Sequence, residues 1–144
     1  MGTMHKTAAI LLAAALLVGC QSEPKIGQIK PEMKAQYDAA FQDMLNKPGD
    51  LPIALRYAGV AKEAGDVEGA IGTYEGMLLI TSDLPQVRVE LATLYIQLKS
   101  YDMARGHLEL ALQSPNLPPA LRKPSEQLLS KMPKQSAKQS RGRS

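Results

Sequence analysis

Apolar residues between positions 33 and 131 recur three and four apart, the spacing of one face of a helix. Met33, Tyr37, Ala40, Phe41, Met44 and Leu45 mark a first amphipathic helix, and Pro48-Gly49-Asp50 supplies its stop and the next start. Leu55 to Ala64 marks a second, closed by Gly65-Asp66, and Glu68 to Ile80 a third, closed by the run from Ser82 to Pro85. Val87 to Leu98 and Asp102 to Gln113 follow. Ser114-Pro115-Asn116-Leu117-Pro118-Pro119 then breaks the chain before a last helix from Ala120 to Lys131, with Pro124 expected near its first turn, where a missing N–H is tolerated. No stretch alternates with period two as a half-buried strand does. The expected class is all-α.

Sliding the chain against itself by 34 residues aligns Ala58 with Ala92, Ala70 with Ala104, Gly72 with Gly106, Glu75 with Glu109 and Leu78 with Leu112. Ile53 meets Val87, Val60 meets Leu94, Glu68 meets Asp102 and Tyr74 meets Leu108. This pattern resembles the tetratricopeptide repeat, a pair of helices A and B joined where a small residue lets two backbones approach. Ala70 and Ala104 match the small B-helix position of that family, and Tyr74 and Leu108 its large apolar position. The family's usual Trp is replaced by Ala54 and Arg88, and its closing Pro by Ser82 and Asn116. Residues 51 to 118 hold two repeats. Because two units bury little apolar surface, the helix from Met33 is expected as the remnant of an earlier repeat and the helix from Ala120 as a cap.

The resemblance implies a concave groove lined by A-helices that takes an extended or helical peptide. Carried over by position, its residues are Leu55, Gly59, Lys62 and Glu63 in the first repeat and Gln86, Val89, Thr93, Ile96 and Gln97 in the second. The set is mixed in character, so a clamp of Lys and Arg on a peptide carboxylate is not expected. Amides and a hydroxyl beside short apolar groups suit main-chain hydrogen bonding. Gly59, Gly69, Gly72 and Gly76 each cost roughly 0.8–1 kcal/mol relative to Ala inside a helix, for which close helix packing at Gly72, repeated at Gly106, is the expected reason and close approach by a partner backbone, or a deformable groove, the alternative.

Ahead of the helices stands a different kind of segment. His5 and Lys6 precede eleven consecutive apolar residues, Ala8 to Val18. As a helix these rise only about 16 Å, well short of a roughly 30 Å hydrocarbon core, which makes the segment an export signal rather than a span. Myristoylation at Gly2 fails because Lys6 stands where Ser or Thr is needed. Leu17-Val18-Gly19-Cys20 resembles the lipobox of bacterial lipoproteins, which implies cleavage before Cys20, lipidation of its sulfur and acylation of the new N-terminus. Several acyl chains anchor stably where one is marginal. Gln21 rather than Asp follows the cysteine, which in that family implies the periplasmic face of the outer membrane. The expected organisation is a signal over 1–19, a tether over 20–30, a helical domain over 31–131 and a disordered basic tail over 132–144.

The charge of the 144-residue chain divides accordingly. Net +3 overall, it carries eleven basic and fourteen acidic residues between 20 and 129, and five basic with no acidic residue from Ser130 onward. With Cys20 acylated, the exported chain holds no free thiol and a single histidine, His107. Thiol catalysis, disulfides and cysteine zinc sites are thereby excluded. His107 has no ligand-spaced partner, and Glu63, Asp66 and Glu68 cluster at a turn as helix-start residues do rather than as an acid/base pair. No enzyme, no metal, no cofactor and no nucleic-acid partner are expected. The expected function is a lipid-anchored adaptor or scaffold that binds an envelope protein or peptide in assembly, secretion or export. A pilotin-like role for a secretion or pilus component is the alternative, as is binding of cell-wall or other anionic polymers through the basic tail. The runs from Val87 to Ala92, Tyr101 to Arg105 and Leu117 to Arg122 are also similar to the periplasmic repeat modules of outer-membrane assembly proteins.

Overall fold

The computed structural model describes residues 28–133, so the signal, Cys20 and most of the tail lie outside the described residues. Within them a short 3₁₀ turn, Pro31–Met33, leads into α1 (Lys34–Asn46), α2 (Leu51–Ala64), α3 (Val67–Ile80), α4 (Pro85–Gln97), α5 (Tyr101–Gln113) and α6 (Pro119–Lys131). Turns of two to five residues join them and each helix packs on the next, as antiparallel neighbours must. The class is all-α, a short helical solenoid.

The repeat register extends one helix further than the aligned pairs. Leu51, Pro85 and Pro119 open α2, α4 and α6 at successive intervals of 34, and Val67 and Tyr101 open α3 and α5 at the same interval. Each of α2, α4 and α6 carries a proline in its first turn, where the absent N–H has no helical partner to lose. Tyr57, Leu91 and Ser125 occupy equivalent positions and are all buried. The last helix therefore continues the 34-residue register of α2 and α4.

The second helix begins four residues before its apolar spacing does. Asp50 accepts the Ile53 amide at 3.1 Å and so caps a turn that holds Leu51 and Pro52. Pro124 lies past the first turn of α6, in its body, where it is exposed and withdraws an N–H from the ladder. Beside it Ser125 is fully buried and donates its hydroxyl to the Leu121 carbonyl at 2.7 Å, so the helix interface gains a small residue without an orphaned polar group.

Two cores share α4. Leu91 and Leu94 join Tyr57, Val60, Ala70, Tyr74 and Met77 in the first, and Val89 and Ala92 join Ala104, Leu108, Ala111 and Met132 in the second. The small residues Ala58, Ala70, Ala92 and Ala104 are all completely buried, as close backbone approach requires. Both domain edges drawn from sequence shift outward. Lys30 donates its amide to the Ala64 carbonyl at 2.9 Å and its ammonium to the Glu63 carbonyl at 2.7 Å. At the other end Met132 is buried, and Arg105 holds the Pro133 carbonyl at 2.8 Å.

Candidate functional site

α2 and α4 lie side by side, bridged by an ion pair. Lys62 reaches Glu90 at 2.7 Å, the two side chains being 32% and 40% exposed. Since residues three and four apart share a helix face, Gln86, Glu90, Thr93 and Gln97 form one strip along α4. Lys62 closes that strip against α2. Its charge is matched within the fold, so its ammonium is not an unpaired anion receptor.

The nine expected groove residues do not share one fate. Leu55, Glu63, Gln86 and Gln97 are exposed, and Gly59, Lys62 and Thr93 are half-buried. Gly59 borders open space, since a Cβ built there meets nothing within 4 Å. Thr93 donates its hydroxyl to the Val89 carbonyl at 3.0 Å, leaving the oxygen's acceptor capacity for a ligand. Val89 is turned into the second core and Ile96 packs against it. An α-helix with neighbours on two sides cannot show every A-helix position to solvent, and these two face α5 and α6. The exposed surface is thus Leu55 and Glu63 on α2 with Gln86 and Gln97 on α4, and Thr93 half-buried between the last two.

Electrostatically the strip is quiet. Beneath it burial, with the nearby Glu90 carboxylate, pushes the Tyr74 hydroxyl up to about 12, so it stays neutral. Tyr95, which donates to Glu75 of α3, is likewise pushed up to about 12, first by burial and then by that carboxylate. His107 stacks on Tyr95 with ring centroids 5.6 Å apart and planes 8° from parallel. Burial first, then the Arg88 guanidinium, lowers its pKa, and Glu75 opposes them in part. Among the described residues no three His, Cys, Asp or Glu side chains converge as metal ligands, and no helix is long and apolar enough to cross a membrane.

The glycines correct the expectation of tight packing at Gly72. A Cβ at Gly72 or at Gly106 meets nothing within 4 Å, whereas one at Gly69 would fall 2.1 Å from Asp66 Oδ2. Gly69 is the crowded position, because the Asp66 carboxylate folds over it to accept its amide at 2.9 Å. Among Glu63, Asp66 and Glu68, Asp66 thus caps α3, and it also accepts the Tyr37 hydroxyl at 2.7 Å. That second bond links α1 to the α2–α3 turn, and a 29-residue separation hides it from sequence reading.

No protein-family model, curated protein or solved structure matches the chain.

Proposed function

We propose that the chain is a lipid-anchored adaptor, held at the membrane through Cys20, whose α2–α4 surface binds an exported protein segment during envelope assembly. The observation that carries this reading is the strip of Gln86, Glu90, Thr93 and Gln97 along α4, joined to α2 by the Lys62–Glu90 ion pair, on two helices set at a fixed 34-residue register. The amides of Gln86 and Gln97, with the Thr93 hydroxyl between them, suit hydrogen bonding to an extended or irregular main chain, and Leu55, 48% exposed, offers a shallow apolar contact. Tethering raises the effective concentration of a neighbour on the same membrane, so a modest groove suffices.

Photocrosslinking from Gln86 and Gln97, with Glu109 on α5 as an exposed control, tests the reading. His107 is unsuited as a control because its ring is half-buried against Tyr95. One dominant exported protein captured from both α4 positions and not from Glu109 is the expected result. Equal capture at Glu109, or none at the α4 positions, overturns the groove. Deleting residues 134–144 separates tail-driven polymer binding, which salt screens, from groove binding. The cut belongs there because Met132 is part of the second core.

A further inference from the structure

The chain leaves the described domain against α5. Arg105 donates to the Pro133 carbonyl at 2.8 Å, which fixes the last described residue beside that helix. Asp102 and Glu109 lie three residues before and four after Arg105, so all three share one face of α5. Both carboxylates are exposed, and neither forms an ion pair among the described residues. Arg105 is spent on Pro133 instead of on either of them.

A comparison of the two repeats accounts for the surplus. In the first, Glu75 accepts the hydroxyl of Tyr95 from the following helix. One interval of 34 later the pair becomes Glu109 and Leu129, and Leu129 packs against the second core with no hydrogen to donate. Arg105 is itself incomplete, since its Nε is buried without a hydrogen-bond partner among the described residues. The face thus holds two carboxylates lacking a cation and one buried N–H lacking an acceptor.

The sequence after Pro133 supplies both. Residues 134–144 contain Lys134, Lys138, Arg141 and Arg143 and no acid, and every peptide unit there offers a carbonyl. Val67 and Tyr101 open α3 and α5, so the next helix of that series would open at Gln135. The equivalents of the buried Ala104 and Leu108 are Lys138 and Gly142, which removes apolar burial as a means of docking and leaves charge.

We propose that the segment 134–144 docks back on α5 of its own chain, with Lys134 and Lys138 against Asp102 and Glu109. The two carboxylates are separated by about 10 Å along the helix, and an extended chain from Lys134 to Lys138 spans at most about 14 Å, so the spacings match. Exposed ion pairs are weak, but the segment is joined to Pro133 and its effective concentration at α5 is high. Two of its four cations are then matched within the chain and withheld from other anions, a masking that salt relieves. The contact uses α5 and not the α2–α4 strip, and it stands whether or not that strip binds anything.

The test is zero-length carbodiimide cross-linking of the whole chain at low salt, in an equal mixture of isotopically light and heavy protein, with the linked peptides mapped by mass spectrometry. Lys134 and Lys138 should link to Asp102 or Glu109 within one isotopic chain, with the exposed Glu63 of α2 as the control carboxylate. Raising salt from roughly 0.05 M to 1 M should cut the yield about fivefold, because the screening length falls to about 3 Å. Tryptic cleavage after Lys138 reads the same contact without a linker. Asp102→Asn with Glu109→Gln should speed it about threefold at low salt and leave it unchanged at high salt, with helical circular dichroism retained. Links between light and heavy chains, equal linking to Glu63, no links at all, or a cleavage rate indifferent to the substitutions would each overturn the inference.

Discussion

Asp66 and Tyr37 are joined by a 2.7 Å hydrogen bond that ties the first helix of the array to the turn between α2 and α3. The same carboxylate caps α3 through its other oxygen, and Tyr57 adds its hydroxyl to Tyr37 at 2.9 Å. Burial first, then the Tyr57 bond and Asp66, hold the Tyr37 hydroxyl far above its ordinary pKa, which keeps it a donor at any physiological pH. Asp66→Ala removes a cap and a charge-assisted bond together and should lose about 2–4 kcal/mol in urea unfolding. Tyr37→Phe should lose about 1–2 kcal/mol, and the double mutant should fall short of the sum by roughly the shared bond. Strict additivity would show that the two interactions act separately.

Two glycines at different places, Gly69 on α3 and Gly106 on α5, should respond to alanine with opposite sign. Gly69→Ala places a Cβ 2.1 Å from Asp66 Oδ2 and forces the cap open, so stability falls despite the better helix former. Gly106→Ala enters open space and should raise stability by roughly 0.5–1 kcal/mol. Thermal unfolding followed by circular dichroism reads both, and a gain from Gly69→Ala would contradict the crowding at the cap.

The helix ends repeat a backbone conformation without repeating the residue. Gly65 closes α2 at φ 97°, and Lys99, 34 residues later, follows α4 at φ 59° as the single non-glycine residue in the left-handed region among those described. A side chain in that region costs roughly 1–2 kcal/mol. Lys99→Gly should therefore stabilise the domain by about 1 kcal/mol, which denaturant titration can resolve. Gly65→Ala should destabilise it, both by this strain and because a Cβ there would sit 3.2 Å from the Gln28 carbonyl oxygen.

His107 makes stability depend on pH. Its folded pKa lies below the ordinary value of about 6.5, so between the two values the unfolded chain binds a proton that the folded chain does not. Stability is then fully present above pH 6.5 and declines as pH falls through that window. Arg88 deepens the effect and Glu75 reduces it. His107→Phe keeps a ring to stack on Tyr95 and removes the titration; its Nδ1, buried without a hydrogen-bond partner, has no bond to give up. The expected outcome is a flatter stability profile from pH 7 to pH 5. An unchanged slope would assign the dependence to another group.

Helix existence was legible in the sequence because amphipathic spacing and breakers agree, as between Glu68 and Ile80. Helix starts were less so, since Leu51 and Pro52 join α2 through an aspartate cap rather than through apolar periodicity. The small residues at 58, 70, 92 and 104 announced the helix contacts because sterics alone select them. The groove was legible only in part. Position within a repeat assigns Val89 to the A-helix but does not say that α5 and α6 cover it. The glycines were ambiguous for a similar reason: a helical glycine can border open space or a tight contact, and only coordinates distinguish Gly72 from Gly69.

The two hydrogen bonds from Lys30 to the carbonyls of Glu63 and Ala64 also set the path of mechanical load. Tension applied upstream of Gln28 reaches the end of α2 before it reaches α1. The first helix is therefore bracketed between that clasp and the turn at residues 47–50, and a pull from upstream loads the clasp before it can peel the helix from its free end. A pull from that end thus enters the domain at the Glu63 end of α2 before it reaches either α1 or α4.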